Sequence, residues 1–361
     1  MREAGKTMSD FKALISENDK CREAYRDGIS AYIQKLDQEG YEKRERFMCP
    51  DTYFSHIEEY RATFLQLLGV DKIRSNGAPA TSLVRVAEDP VADIYRLTLY
   101  VTAEIPLFGL LFVPHDIEKA PLVIAQHGNG GTPELCADLN GPNKYSRMVR
   151  RAIERGAAVF APQLLLWNFT AEKSHQRVHP IPYDRNIVDL LLKRHGMSIT
   201  ALEVKGIMDA ITYLSDLPYV DADRIGMVGH SYGGYYTLHT MAADTRIKAG
   251  YTNACLNDRR VHYRSDWTYQ DASSTFHDAE VAALCAPRKL AVTVGRADQF
   301  FDFSSAEAEG ERARRYYAAA GCPQNFAFFP WEGDHSVPEA EDGFDFLFSA
   351  LNTIPTVGET N

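Results

Sequence analysis

Apolar residues recur at helical spacing from Asp10 to about Leu36, at Phe11, Leu14, Ile15, Tyr25, Ile29, Tyr32, Ile33 and Leu36. A second helical stretch runs from about Thr52 to Leu68, and Pro50-Asp51 ahead of it predicts a start with Asp51 as the N-cap. A turn-rich connector over residues 70–80 then changes the period. Residues 82–87, 94–102 and 106–113 alternate or run apolar, with the Val, Ile, Tyr and Phe content of strands. Residues 121–126 and 157–161 are continuous apolar runs, which fits strands buried on both faces of a parallel sheet, and a helix is expected between them over 144–155. Further on, helices are expected at 198–217 (Ser198 as cap), 235–241, 305–320 and 340–351. Strands are expected at 225–229, 246–252, 289–294 and 325–329, with 221–224 turning the chain into the first of these.

Strand, helix, strand alternation of this kind implies an α/β chain with a mostly parallel, doubly wound sheet of about eight strands and right-handed crossovers. It occupies residues 81–355, behind an N-terminal helical extension over 1–80. Two stretches break the rhythm, 163–196 and 257–277. Both are too polar for a core and rich in aromatic rings and cations, and both follow sheet strands on either side of the 225–229 strand. They are expected over the C-terminal edge of the sheet, where such folds bind ligands. Trp167, Tyr183 and Arg185 in the first, and Trp267 and Tyr269 in the second, are the expected pocket walls, suited to a polar ring-like substrate such as a sugar.

Composition narrows the class. The 361 residues are 45% hydrophobic and 24% charged, as in ordinary globular proteins, and the net charge of −10 offers no footprint for nucleic acid or an anionic membrane. The first twenty residues are charged throughout, unlike a signal peptide, and no apolar run approaches the roughly 18 residues of a membrane span. Cys21, Cys49, Cys136, Cys255, Cys285 and Cys322 are scattered without metal-ligand spacing. The expectation is a cytoplasmic protein with reduced thiols, no metal and no cofactor. Its N-terminal helices would serve packing and a homo-oligomer contact.

The chemistry centres on Gly229-His-Ser-Tyr-Gly233, set between a buried strand and a helix. A strand that reverses into a helix within about three residues strains its central residue and lifts that side chain clear of the sheet. Ser231 is the expected nucleophile. Its hydroxyl needs a base, and the base an orienting carboxylate. His335, in Trp331-Glu-Gly-Asp-His335 after the last strand, is the expected base. Asp298, four residues beyond the strand ending at Val294, is preferred as the acid, with Asp302 as the alternative. The N–H of Tyr232 is one expected oxyanion donor, and Asn129 or Gly130 in His127-Gly-Asn-Gly-Gly131 the other.

These residues, with Pro106 to Pro114, Asp223 to Gly234, Pro287-Arg-Lys-Leu290 with Gly295, and Gly333-Asp-His335, resemble the α/β-hydrolase superfamily over about residues 82–354. Within it the chain looks like the dienelactone hydrolase-like and acetyl xylan esterase-like branch. Dienelactone hydrolases proper use a cysteine where this chain has Ser231. The resemblance implies the α/β-hydrolase fold and hydrolysis of a carboxylic ester, a short-chain one such as an acetylated sugar, through an acyl-enzyme. Gly-x-Ser-Tyr-Gly-Gly also resembles prolyl oligopeptidase-type peptidases, and the leading helices resemble those of hydrolases that cleave C–C bonds. A catalytically silent binding protein is the remaining alternative.

Overall fold

The computed structural model describes residues 8–77, 79–165 and 184–352. In chain order the helices are α1 (Met8–Phe47), α2 (Ile57–Leu68), α3 (Pro133–Cys136), α4 (Met148–Ile153), α5 (Arg185–Lys193) and α6 (Ile199–Ser215). They continue with α7 (Tyr232–Ala243), α8 (Asp278–Ala283), α9 (Phe303–Ala319) and α10 (Asp342–Leu351). The strands are β1 (Ser82–Glu88), β2 (Ala92–Tyr100), β3 (Pro106–Pro114), β4 (Ala120–Gln126), β5 (Ala158–Gln163), β6 (Val220–His230), β7 (Ile247–Asn253), β8 (Lys289–Gly295) and β9 (Phe326–Trp331).

These nine strands, which match run for run the nine that the hydrophobic pattern marks out, form one sheet in the order β1-β2-β3-β5-β4-β6-β7-β8-β9. The first three and the β3–β5 step pair antiparallel, and β5 through β9 pair in parallel. Residues 221–224, expected as a turn, lie within β6. The β4–β6 register jumps there from Pro121↔Asp221 to Leu122↔Ile225, so the extra residues bulge out.

The core lies in two layers because successive strand side chains point to opposite faces. In β4, Leu122 and Ile124 join a cluster with α2, α6, α7 and α9, while Val123 and Ala125 join one with α4 and α10. Every residue of β4 is buried, which is why its sequence shows no alternation.

The expected helix at 144–155 is only α4, because Ser146 and Arg147 have φ of 45° and 57° and start it late. Ser198 caps α6 as expected, its hydroxyl accepting from Ala201 N at 3.0 Å. Asp51 does not cap α2. Residues 53–56 first make a 3-10 turn that buries Tyr53, whose hydroxyl donates to Tyr316 O at 3.0 Å. The largest departure is α1, which runs unbroken for 40 residues to Phe47. Its C-terminal end is tied down by Arg44, fully buried against Glu280 at 3.4 Å. From Met8 to Leu36 every described side chain is exposed. No helix among the described residues is long and apolar enough to cross a membrane.

Candidate active site

Ser231 stands between β6 and α7 with φ 59° and ψ −119°, the strained conformation expected of a serine at a strand-to-helix reversal. Its backbone N–H donates to Asn253 O at 2.8 Å, pinning the turn to β7. Neighbouring glycines allow the approach. A Cβ at Gly229 would lie 2.2 Å from Gly233 O, and one at Gly233 would lie 2.0 Å from Gln126 O. The serine is 9% exposed and opens on a cavity of about 590 Å³ that His335 also lines.

His335 is held from two sides. Its Nδ1 bonds Asp298 Oδ2 at 2.8 Å, and Phe301 stacks on its ring at 5.6 Å and 18°, with Phe300 edge-on at 4.9 Å. The loops after β8 and β9 are laced together to achieve this. Arg296 N donates to Trp331 O and Ala297 N to Gly333 O, each at 2.9 Å. The Asp298 side chain is fully buried. Burial alone would raise its pKa. The His335 bond and the N–H groups of Phe300 (2.8 Å) and Phe301 (3.0 Å) outweigh that and hold it below the ordinary aspartate value. Asp302 faces elsewhere, capping α9 by accepting from Ser305 N at 2.8 Å.

The glycine-rich loop after β4 lies against the nucleophile, since a Cβ on Gly128 would sit 2.8 Å from His230 O and 3.1 Å from Ser231 Cβ. The Gly128 N–H is already used by Tyr145 Oη at 3.0 Å. Asn129 lines the cavity together with Ser231 and Tyr232; Gly130, with φ 69°, is not among its lining residues. The loop is braced from behind by His127, fully buried, whose Nε2 accepts from Leu164 N at 3.1 Å. Burial drives that imidazole down to about 4, so it stays neutral. His230 likewise is neutral, pushed to about 3 by burial and then by His335, 4.7 Å away ring to ring.

Of the expected pocket walls, Trp267 lines the cavity, its ring tilted against Tyr232 at 5.0 Å and 51°, while Trp167 and Tyr183 lie outside the described residues. Arg185 sits elsewhere than expected. Its guanidinium is buried beneath Tyr232 and paired with Glu203 at 2.7 Å and Asp266 at 2.6 Å. That network, which also takes in the hydroxyls of Tyr236 and Tyr232, ties α5, α6, α7 and the loop after β7 into a rigid floor. Tyr269 is turned inward too, donating to Phe276 O at 2.7 Å. Lining residues that the pattern did not single out are Lys144, Asn186, His262, Arg264, Phe300 and Phe301. The aromatic-cationic composition of residues 257–277 was the sequence signal for His262 and Arg264, and that of 163–196 for Asn186, whereas Lys144, Phe300 and Phe301 lie in neither stretch. Elsewhere, Glu88, Asp93 and His115 bring ligand atoms within 4.8 Å at the surface, where Arg85 already pairs with both carboxylates.

The signature of the prolyl oligopeptidase family matches residues 200–282, from α6 through the elbow to α8. No curated protein sequence matches the chain. Among solved structures, the methylesterase BT1017 is similar at TM-score 0.66 and 18% identity, over 88% of this chain and 69% of that one. A Bacteroides fragilis protein assigned as an acetyl xylan esterase aligns at 0.65 and 16%, over 96% of this chain and 91% of its own. The glucuronoyl esterase of Solibacter usitatus aligns at 0.57 and 16%, over 80% and 92%. With the sheet order and the elbow, these likenesses make the fold that of the α/β-hydrolases.

Proposed function

We propose that this α/β-hydrolase fold works as a serine esterase, cleaving a short-chain carboxylic ester, such as an acetylated sugar, through an acyl-enzyme. The observation that carries the reading is the buried Asp298–His335 pair at 2.8 Å on the same cavity as a strained, outward-opening Ser231. Ser231 Oγ attacks the ester carbonyl carbon while His335 Nε2 takes its proton. Asp298 holds the His335 Nδ1–H and stabilises the imidazolium. The N–H groups of Tyr232, at the start of α7, and of Asn129 face the oxyanion; the place of Asn129 on the cavity favours it over Gly130. His335 then protonates the leaving alcohol, and water, activated by the same imidazole, attacks the acyl carbon. The three similar solved structures carry esterase names, which supports the ester over the amide. The peptidase-family match spans the elbow and its flanks, a part that both classes need.

A panel of nitrophenyl esters from acetate to decanoate, set beside aminoacyl amides, tests this. Turnover falling with acyl length, abolished in Ser231→Ala, is expected. Cleavage of aminoacyl amides alone would move the assignment to a peptidase.

We further infer that the projecting part of α1 pairs with a second copy of the chain. Phe11, Ile15, Tyr25, Ile29, Tyr32 and Leu36 follow the alternating three- and four-residue steps of a coiled-coil seam, with Asn18 and Arg22 between, and all six apolar side chains are exposed. Charge supports an antiparallel partner. Setting Phe11 against Leu36 and Ile15 against Tyr32 of the second copy brings Asp19 beside that copy's Arg26. Sedimentation should show a dimer that Asp19→Arg weakens and Asp19→Arg with Arg26→Asp restores. A monomeric native protein at tens of micromolar would sink the idea.

A further inference from the structure

The cavity beside Ser231 has a charge opposite to that of the whole molecule. The chain carries a net charge of −10, yet no described residue lining the cavity is an aspartate or glutamate, whereas Lys144 and Arg264 both are lining residues. The carboxylates nearest the site are committed elsewhere: Asp298 to His335, Asp266 to Arg185, and Asp278 to Arg259. The two cavity cations rest instead on ring faces. Lys144 lies 5.5 Å from the Tyr145 centroid, and Arg264 lies 5.1 Å from that of Trp267 and 5.8 Å from that of Tyr232. A cation over a ring face is positioned by it but keeps its N–H donors free for another acceptor.

The arrangement differs from that of the other arginines near the site. Arg185 and Arg259 also lie against aromatic rings, but Arg259 is buried and Arg185 largely so, and each makes two bonds to carboxylates, as a structural cation must. Lys144 and Arg264 are exposed, and among the described residues neither has a carboxylate within ion-pair distance. They reach one cavity from separate segments, Lys144 ahead of α4 and Arg264 from the loop after β7. Keeping two like charges there, in a protein with an excess of acidic side chains, suits an anionic ligand.

We propose that the substrate is an ester carrying a carboxylate, which Lys144 and Arg264 bind while Ser231 attacks the ester carbon. This rests on the esterase reading and adds the substrate's charge class. Arg264 offers a planar fork to a carboxylate and Lys144 a mobile point charge. The indole of Trp267 beside them supplies a flat face, so a carboxylate-bearing sugar is the member of the class that the walls fit best.

The test compares substrates that differ at one group, a carboxylate in one member and a neutral group in the other. One pair varies the acyl side, 4-nitrophenyl hemisuccinate against 4-nitrophenyl butyrate; the other varies the alcohol, an acetylated uronic acid against the acetylated neutral sugar. The charged member should have the higher kcat/KM in at least one pair, by about tenfold at low salt, as expected for hydrogen bonds to a charged group, and the margin should shrink as salt rises. Lys144→Gln and Arg264→Gln should each cut the charged-to-neutral ratio several-fold, and the double variant should bring it near one. A ratio of one or below in both pairs, or a preference that the double variant leaves intact, would overturn the proposal. Neutral esters cleaved by the native protein but not by Ser231→Ala would in that case leave the esterase reading standing. If no ester of either charge is cleaved, and a fluorophosphonate leaves Ser231 unlabelled, both readings fail.

Discussion

Replacing Asp298 by Asn removes one charge and changes one hydrogen-bond polarity at the site. The carboxylate accepts from His335 Nδ1 at 2.8 Å with one oxygen and from the N–H groups of Phe300 and Phe301 at 2.8 and 3.0 Å with the other. An amide can keep the two backbone bonds only by leaving its carbonyl oxygen on them, which turns its NH₂ toward His335. Nδ1 must then accept, so the imidazole proton moves to Nε2, and that nitrogen can no longer take the proton of Ser231. The same change in a serine protease triad costs about 10⁴ in kcat, roughly 5.5 kcal/mol of transition-state stabilisation, and a similar loss is expected here. Asn is nearly isosteric and the backbone bonds survive, so KM and the thermal transition should move little. Asp302→Asn is the control. Asp302 caps α9, and Asn caps a helix about as well as Asp, so its kcat should stay within about twofold. Initial rates with nitrophenyl acetate, beside circular-dichroism melts, give the comparison. An Asp298→Asn enzyme within tenfold of native, or an Asp302→Asn enzyme that is the more damaged, would refute the assignment of the acid.

Gly233→Ala would place a methyl 2.0 Å from Gln126 O and 2.9 Å from His127 O, both backbone atoms that cannot swing aside. Overpacking of this kind costs about 3 kcal/mol, read as a lower Tm, and it should distort the Ser231 turn enough to abolish turnover; native melting with native rates would show that the β4 edge can retreat. Trp267→Ala should shift relative kcat/KM among esters of different alcohols by about tenfold, the usual loss for an aromatic anchor, whereas an equal effect on every ester would place the indole outside substrate recognition. Burial holds His127 near 4 and His230, His239 and His277 near 3, so all four are neutral in the folded state and protonate on unfolding once the pH is below about 6.5. Their contribution is present above that pH and is lost as pH falls toward the folded values. Asp278, raised to about 6 by burial, and Asp138 and Glu309, also raised by burial, offset part of this, so stability should fall as pH drops from 7 to 5, by about 1.4 kcal/mol per pH unit for each net proton taken up on unfolding. Urea titrations from pH 7 to 5 that show a flat or rising midpoint would contradict this.

Periodicity in the chain was enough for the strands, because a two-sided sheet buries every position of β4 and leaves a run no helix would need. The proposed triad was also legible. A serine between close-packed glycines is a local geometric demand, and chain order put Asp298 and His335 on loops that leave adjacent strands β8 and β9. Other features depend on groups distant in sequence. Arg185 and Arg264 look alike in a polar-aromatic stretch. Only the fold brings Glu203 and Asp266 onto Arg185, making it part of the floor, while Arg264 is left with ring faces and an open cavity. Polar residues 37–47 carry no apolar stripe, yet α1 continues through them because Arg44 meets Glu280, more than two hundred residues away. Local spacing reports which face of an element is apolar. Which buried charges find partners, and so which remain for a substrate, is decided only when distant segments meet, because a buried charge is tolerated only beside its counter-charge.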